Sequence, residues 1–192
     1  GECIVSLRGW HPALAQAELS ALFPDGRVEA LASPRLARLR CSKDAKELTI
    51  SSGIEAIFSN GMNMEWSGED VLLNQIKEHL SNYPNQDSSC AVYTWKHGQG
   101  IEGCSRTKLS GKVGGTLSRM GANIDLENPE SIFGILLDGL ARTVTFGWLL
   151  NHGPKGDSSI ERRASQRPFF KPVSLEPRLA RLAVNLACGP LT

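Results

Sequence analysis

Long apolar runs, paired-cysteine motifs and a dominant charge are all missing from this chain, and each absence removes a class of protein. The longest apolar stretch, IFGILLDGLARTVTFGWLL at 132–150, is interrupted by Asp138 and Arg142. Asp138-Gly139 is a turn signal, so the stretch reads as two strands joined by a tight turn rather than as a membrane span. The opening GECIVSLRGW has no basic segment ahead of an apolar one and so lacks the form of a signal peptide. The 5 cysteines (Cys3, Cys41, Cys90, Cys104, Cys188) are scattered, with no CxxC and no histidine at ligand spacing. His11, His79, His97 and His152 are equally dispersed. Reduced, mostly buried thiols in a cytoplasmic protein are expected, with no metal site.

Catalytic signatures are also scarce. No GxGxxG, GxSxG or HExxH occurs. SGKVGGT at 110–116 resembles a phosphate loop, but Gly111-Lys112 has Arg106 where that motif needs glycine and Val113 where it needs Ser or Thr. The four tryptophans, Trp10, Trp66, Trp95 and Trp148, read as core or half-buried rather than as base-stacking platforms.

What is present is a chain of 192 residues, 41% hydrophobic and 21% charged, enough for one medium domain or two small ones. ECIVSL (2–7) is a short β-rich run. HPALAQAELSALF (11–23) has Leu14, Ala17, Leu19 and Leu22 near helical spacing, Pro12 at the tolerated first position, and Pro24-Asp25-Gly26 to stop it. RVEALA (27–32) and RLARLRC (35–41) read as strands, SKDAKELTIS (42–51) as a short helix or turn, and GIEAIFSNGMNMEW (53–66) contains another strand. This β-α-β-β-α-β order predicts a ferredoxin-like unit over 1–66, in an α+β or α/β chain.

A second unit is expected over 67–151. SGEDVLLNQIKEHLSNY places Val71, Leu72, Gln75, Ile76 and Leu80 near one helical stripe, with Ser67 and Asp70 resembling a capping box. CAVYTWKH (90–97) alternates as a strand. CSRTKLSGKVGGTLSRMG (104–121) reads as a helix despite its glycines, and the 132–150 hairpin closes the unit. From 152 to 192 the composition becomes that of an extended linker, ending in a helix from Leu175 or Pro177 with Leu179, Leu182, Ala183 and Leu186 as its apolar face.

Although the net charge is only +1, cations gather locally. Between 96 and 119, Lys96, Arg106, Lys108, Lys112 and Arg119 oppose Glu102 alone. Between 161 and 181, Arg162, Arg163, Arg167, Lys171, Arg178 and Arg181 oppose Glu161 and Glu176. Such clusters guide polyanions. On the 104–121 helix, Leu109, Val113, Leu117 and Met120 form one apolar stripe, and Lys108, Lys112, Gly115 and Arg119 a parallel one turned by about 100°. Ser105, Arg106 and Thr107 sit at its start, where free N–H groups favour anions. Two uses of the basic stripe are open: a solvated face balanced by the acidic helix before it, or a grip on a phosphate backbone.

The segment order, with TKLSGKVGGTLSRMGANIDLENPES in the second unit and RRASQRPFFKPVSLEPRLARLAVNLA after it, resembles the N-terminal part of archaeal tRNA guanine-N2 methyltransferases, which modify guanosine 10. The resemblance covers essentially the whole chain. It implies that 67–151 is a THUMP domain, an RNA-binding module, and that 152–192 leads into a Rossmann-like methyltransferase domain. The family's DPFCGTG-like cofactor loop and Asp-Pro-Pro-Tyr-like motif do not occur here. The resemblance therefore implies an N-terminal fragment with no cofactor of its own, from a parent enzyme that uses S-adenosylmethionine. The implied partners are tRNA, through its acceptor stem and 3′ CCA end, and the methyltransferase domain, with no membrane. The implied RNA contacts are Lys96, His97, Arg106, Lys108, Lys112 and Arg119, with Arg162, Arg163 and Arg167 touching RNA or solubilising the linker. Competing readings are the equivalent module of a tRNA thiolation enzyme, a non-catalytic tRNA adaptor, and an acylphosphatase-like enzyme, for which no phosphate loop with paired Arg and Asn is evident.

Overall fold

The computed structural model of the protein describes residues 2–9, 11–40, 48, 51–85, 87–151, 153–155 and 175–189. Contacts divide the chain into two compact units, residues 1–57 with 150–192, and residues 58–149. The sequence places the division at 66/67; in the structure it falls inside a strand, and the C-terminal residues return to the first unit.

The first unit holds β1 (Glu2–Leu7), α1 (Pro12–Leu22), β2 (Arg27–Ala30), β3 (Leu36–Arg40), the start of β4 (Ile54–Glu65) and α4 (Pro177–Cys188). Its strands lie in the order β2-β3-β1-β4, with β3 antiparallel to both β1 and β2. Pairing Ile4 with Arg38 and Val28 with Leu39 puts alternate residues on one face, as the pleat requires. Val5, Leu7, Leu39, Ile54 and Ile57 meet Ala15, Leu19 and Leu22 of α1 and the buried Leu48 in one core. Each fully buried large side chain contributes about 1.5–3 kcal/mol.

The buried face of α1 differs from the one the sequence predicts. Ala15, Glu18, Leu19 and Leu22 point inward, while Leu14 is 40% exposed. Glu18 is wholly buried because donors surround it: Ser51 Oγ at 2.6 Å, the N–H groups of Ser52 (3.0 Å) and Gly53 (2.9 Å), and Asn185 Nδ2 of α4 at 2.6 Å. Gly53 permits this approach, since a β-carbon there would lie 2.5 Å from that of Ala15. The buried face of α4 is likewise Leu182 and Asn185, against α1, and Leu186 of the expected stripe is exposed.

The second unit holds the rest of β4, α2 (Glu69–Asn82), β5 (Cys90–His97), α3 (Arg106–Arg119), β6 (Ser131–Asp138) and β7 (Thr143–Leu149). The strand order is β4-β7-β6-β5; β5 and β6 are parallel, and the β6–β7 hairpin and the β4–β7 pair are antiparallel. The 132–150 hairpin forms as the sequence predicts. Leu72, Ile76, Leu80, Leu109, Val113, Leu117, Phe133 and Phe146 make the core. Trp95 is buried and stacks between Phe58 and Tyr93, at 5.6 and 5.5 Å. Trp148 donates to the Tyr83 carbonyl at 2.7 Å.

Three local expectations change. The N-cap of α2 is Gly68, at φ 108°, with no side-chain cap bond, so the Ser67–Asp70 box does not form. Val71 is 44% exposed and His79 takes an inward position instead. Met120 ends α3 as its C-cap and is 45% exposed. The helix or turn expected over 42–51 lies mostly outside the described residues, as does the 152–174 linker apart from a 3-10 turn at Gly153–Lys155. Among the described residues, no helix is long and apolar enough to cross a membrane.

Candidate nucleic-acid interface

Helix α3 owes its position to its apolar stripe. Leu109, Val113 and Leu117 are at most 2% exposed, and Ser105 caps the start by accepting from the Lys108 N–H. That anchoring decides which side chains reach solvent. At about 100° per residue, Lys108, Lys112 and Arg119 fall within about 40° of one another. All three are exposed. Arg106 is exposed in the first turn, off that stripe, and Lys96 is exposed near the end of β5. No acidic residue occupies the first turn of α3, which leaves its positive dipole end uncompensated from within.

Lys112 does not stand free. Its ammonium donates to Glu69 Oε1, from the first turn of α2. That hydrogen bond, reinforced by the charges of Glu69 and Asp70, raises the Lys112 pKa. The middle of the stripe is thus neutralised, as the solvated-face reading requires, while Lys108 and Arg119 flank it. The Arg119 guanidinium donates to Thr116 Oγ1 at 3.0 Å and lies beside Gly115, whose missing side chain keeps the surface low. Lys96 Nζ donates to the Gln99 carbonyl at 3.3 Å.

His97 is a correction. It is 4% exposed, with Nδ1 3.9 Å from Asp138 Oδ2, and therefore presents no surface for RNA. Asp138, half of the turn signal in the sequence, organises the turn beside it, accepting from the N–H groups of Leu140 and Ala141 at 3.1 and 3.0 Å. This turn closes on the glycine-rich loop between β5 and α3. A β-carbon on Gly139 would lie 1.7 Å from the Gly100 carbonyl oxygen. Gly98, Gly100 and Gly103 all take positive φ there. The sequence announced the turn through Asp138-Gly139 but not its packing against Gly100. Arg162, Arg163 and Arg167 lie outside the described residues.

The β6–β7 turn packs directly against the glycine-rich loop at Gly100. No group of three metal-ligating side chains occurs among the described residues. Burial raises the pKa of the Cys90 thiol and, with help from Glu69, that of Cys104, so neither is activated as a nucleophile. What the arrangement offers is a mounted cationic surface, suited to holding an anion in place.

No family model matches the chain. A stretch of 74 residues is 32% identical to a tRNA (guanine(10)-N2)-dimethyltransferase of Pyrococcus abyssi, covering 38% of this chain and 21% of that protein. Among solved structures, TrmN from Thermus thermophilus aligns over 97% of this chain and 55% of its own, with a TM-score of 0.66 and 19% identity. A 4-thiouridine synthetase in complex with RNA and ATP aligns over 77% of this chain and 40% of its own, with a TM-score of 0.50 and 13% identity. PH1313 from Pyrococcus horikoshii aligns over 77% of this chain and 53% of its own, with a TM-score of 0.53 and 11% identity. The chain thus spans about half the length of the TrmN chain, shares its mixed α/β fold, and carries sequence similarity to a tRNA guanine-N2 methyltransferase.

Proposed function

We propose that this chain is the tRNA-binding region of a tRNA guanine-N2 methyltransferase. In this reading, the strand order β2-β3-β1-β4 marks a ferredoxin-like unit, and the α3-bearing unit is a THUMP domain. The observation that carries the reading is the exposed Lys108–Arg119 face of α3, extended by Lys96 and Arg106, on a chain similar to an enzyme that acts on tRNA. A-form RNA hides its base edges in a deep groove, so a protein accepting several tRNAs reads phosphates, 2′-hydroxyls and an unpaired end. The acceptor stem and 3′ CCA end meet that description. Holding them presents the distant guanosine to a Rossmann-like domain of the parent enzyme, where S-adenosylmethionine supplies the methyl group. The contribution of this region to rate is then proximity.

Likeness to a thiouridine synthetase in its RNA complex is equally compatible with a tRNA-binding module. The sequence similarity to the methyltransferase favours the first assignment. The test is tRNA binding by fluorescence anisotropy. Lys108→Glu with Arg119→Glu is expected to weaken binding at least tenfold with the far-UV spectrum unchanged, and removal of the CCA end to weaken it as well. Unchanged affinity in the double variant would take α3 out of the interface.

A further inference from the structure

The C-terminal ends of α2 and α3 enclose a cleft that the tRNA reading does not use. Its volume is about 200 Å³, and it lies wholly within the second unit. Pockets for drug-sized ligands begin near about 300 Å³, so this one suits a chain of a few heavy atoms. Part of its lining is apolar. Leu80 and Leu117 contribute buried side chains, and Pro84 and Met120 reach it from the exposed surface.

The polar part of the lining is one-sided. The N–H groups of Met120, Gly121 and Ala122 turn back onto carbonyls of α3, at 3.0 to 3.1 Å. The Asp87 N–H donates to Asn85 Oδ1 at 3.3 Å, and Asn85 Nδ2 donates back to the Asp87 carbonyl at 2.9 Å. The Ser88 N–H donates to Glu130 Oε2 at 3.1 Å. The loop and the helix end thus spend these donors on themselves, and acceptors are left over. The carbonyls of Met120, Gly121 and Ala122 accept from no described residue, and neither does the exposed Asp87 carboxylate.

Charge points the same way. Both helices bring their negative dipole ends here, through the caps Tyr83 and Met120. Among the described residues, no lysine or arginine lines the cleft. Arg119, the last-turn cation of α3, donates instead to Thr116 Oγ1 and lies beside Gly115. His79, in the last turn of α2, is buried, and that burial lowers its pKa. Behind the loop, the hydrogen bonds from Ser88 lower the Glu130 pKa and keep that carboxylate charged.

Apolar side chains beside unsatisfied acceptors call for a ligand with an aliphatic body and positively charged N–H donors. We propose that this cleft binds a primary ammonium on a short aliphatic chain. Asp87 is its counter-ion, the carbonyls at the end of α3 accept its protons, and Leu80 and Met120 pack against its methylenes. The ammonium comes from a free diamine or from a lysine side chain. The site stands independently of the tRNA assignment.

The test titrates the 192-residue chain, labelled with 15N, with putrescine at constant ionic strength and pH 7, where aliphatic amines are charged. Amide signals of 85–88 and 120–123 are expected to shift saturably in the millimolar range. Tetramethylammonium, which has charge but no N–H, should move them no more than sodium does. Asp87→Asn should weaken putrescine binding several-fold. Met120→Lys, which brings its own ammonium to the cleft, should abolish it, and Glu127→Gln, outside the lining, should leave it unchanged. Amide spectra report the fold of each variant. Should Met120→Lys perturb it, Asp87→Asn, at an exposed loop position, keeps the test intact. Equal shifts with tetramethylammonium, or equal putrescine affinity in Asp87→Asn, overturn the site. A second arm titrates Nα-acetyl-lysine methylamide. Tighter binding of putrescine supports the site with a free diamine as its occupant, tighter binding of the lysine derivative supports it with a lysine side chain, and binding of neither overturns it.

Discussion

Glu18 and His79 are both buried and polar, yet one is surrounded by donors and the other is not. Removing the Glu18 carboxylate would strand the Ser51 and Ser52 hydroxyls, two backbone N–H groups and the Asn185 amide in a dry site. Glu18→Ala is therefore expected to cost about 3 kcal/mol or more in chemical denaturation, with Asn185→Ala costing less because only one donor is lost. His79 sits among Tyr83, Phe133 and Phe146 with its Nε2 buried and without a partner among the described residues. Burial lowers its pKa below the ordinary 6.5, so the unfolded chain takes up that proton first as pH falls. Its contribution to stability is full above pH 6.5 and is lost between there and its depressed folded value. Thermal unfolding at pH 7.5 and pH 5 should show a smaller acid loss in His79→Phe than in the parent chain. Neither role was legible from spacing. Helical periodicity reports which positions face inward only when apolar residues hold them, and here a glutamate and a histidine do.

At the scale of the element, α3 shows how far a sequence pattern carries. Leu109, Val113 and Leu117 mark its buried side, and their burial follows from the sequence alone. The pairing of Lys112 with Glu69 does not, because 43 residues separate them and only the packing of α2 on α3 brings them together. On the proposed reading, Glu69→Gln releases Lys112 to the RNA. That variant should bind tRNA several-fold more tightly and with steeper salt dependence, at nearly unchanged stability because the pair is exposed. Unchanged affinity would mean that Lys112 stands outside the contact surface. Elsewhere, Gly68 displaced Ser67 as the cap of α2 because the chain enters that helix at φ 108°, a conformation glycine adopts without strain. The buried face of α4 was misplaced because Asn185, polar by type, is drawn inward by Glu18.

For the molecule as a whole, a net charge of +1 means that any polyanion must be drawn by local surfaces. Three or four phosphate contacts, from Lys96, Arg106, Lys108 and Arg119, predict a log–log slope of tRNA affinity against salt of about −2 to −3.6. A slope near zero in filter binding from 50 to 300 mM salt would show that the cations of α3 do not touch the backbone.

By itself, the sequence determined the order and type of the helices and strands among the described residues, the hairpin turn at Asp138-Gly139 and the apolar anchoring of α3. These depend on residues close in the chain, whose spacing must match a helical or pleated period. Tertiary structure alone decided that Lys112 is neutralised, that His97 is sealed beside Asp138, and that Glu18 receives α4. Those outcomes turn on which distant side chains share a small, poorly hydrated volume, where a single opposite or like charge governs what each group can do.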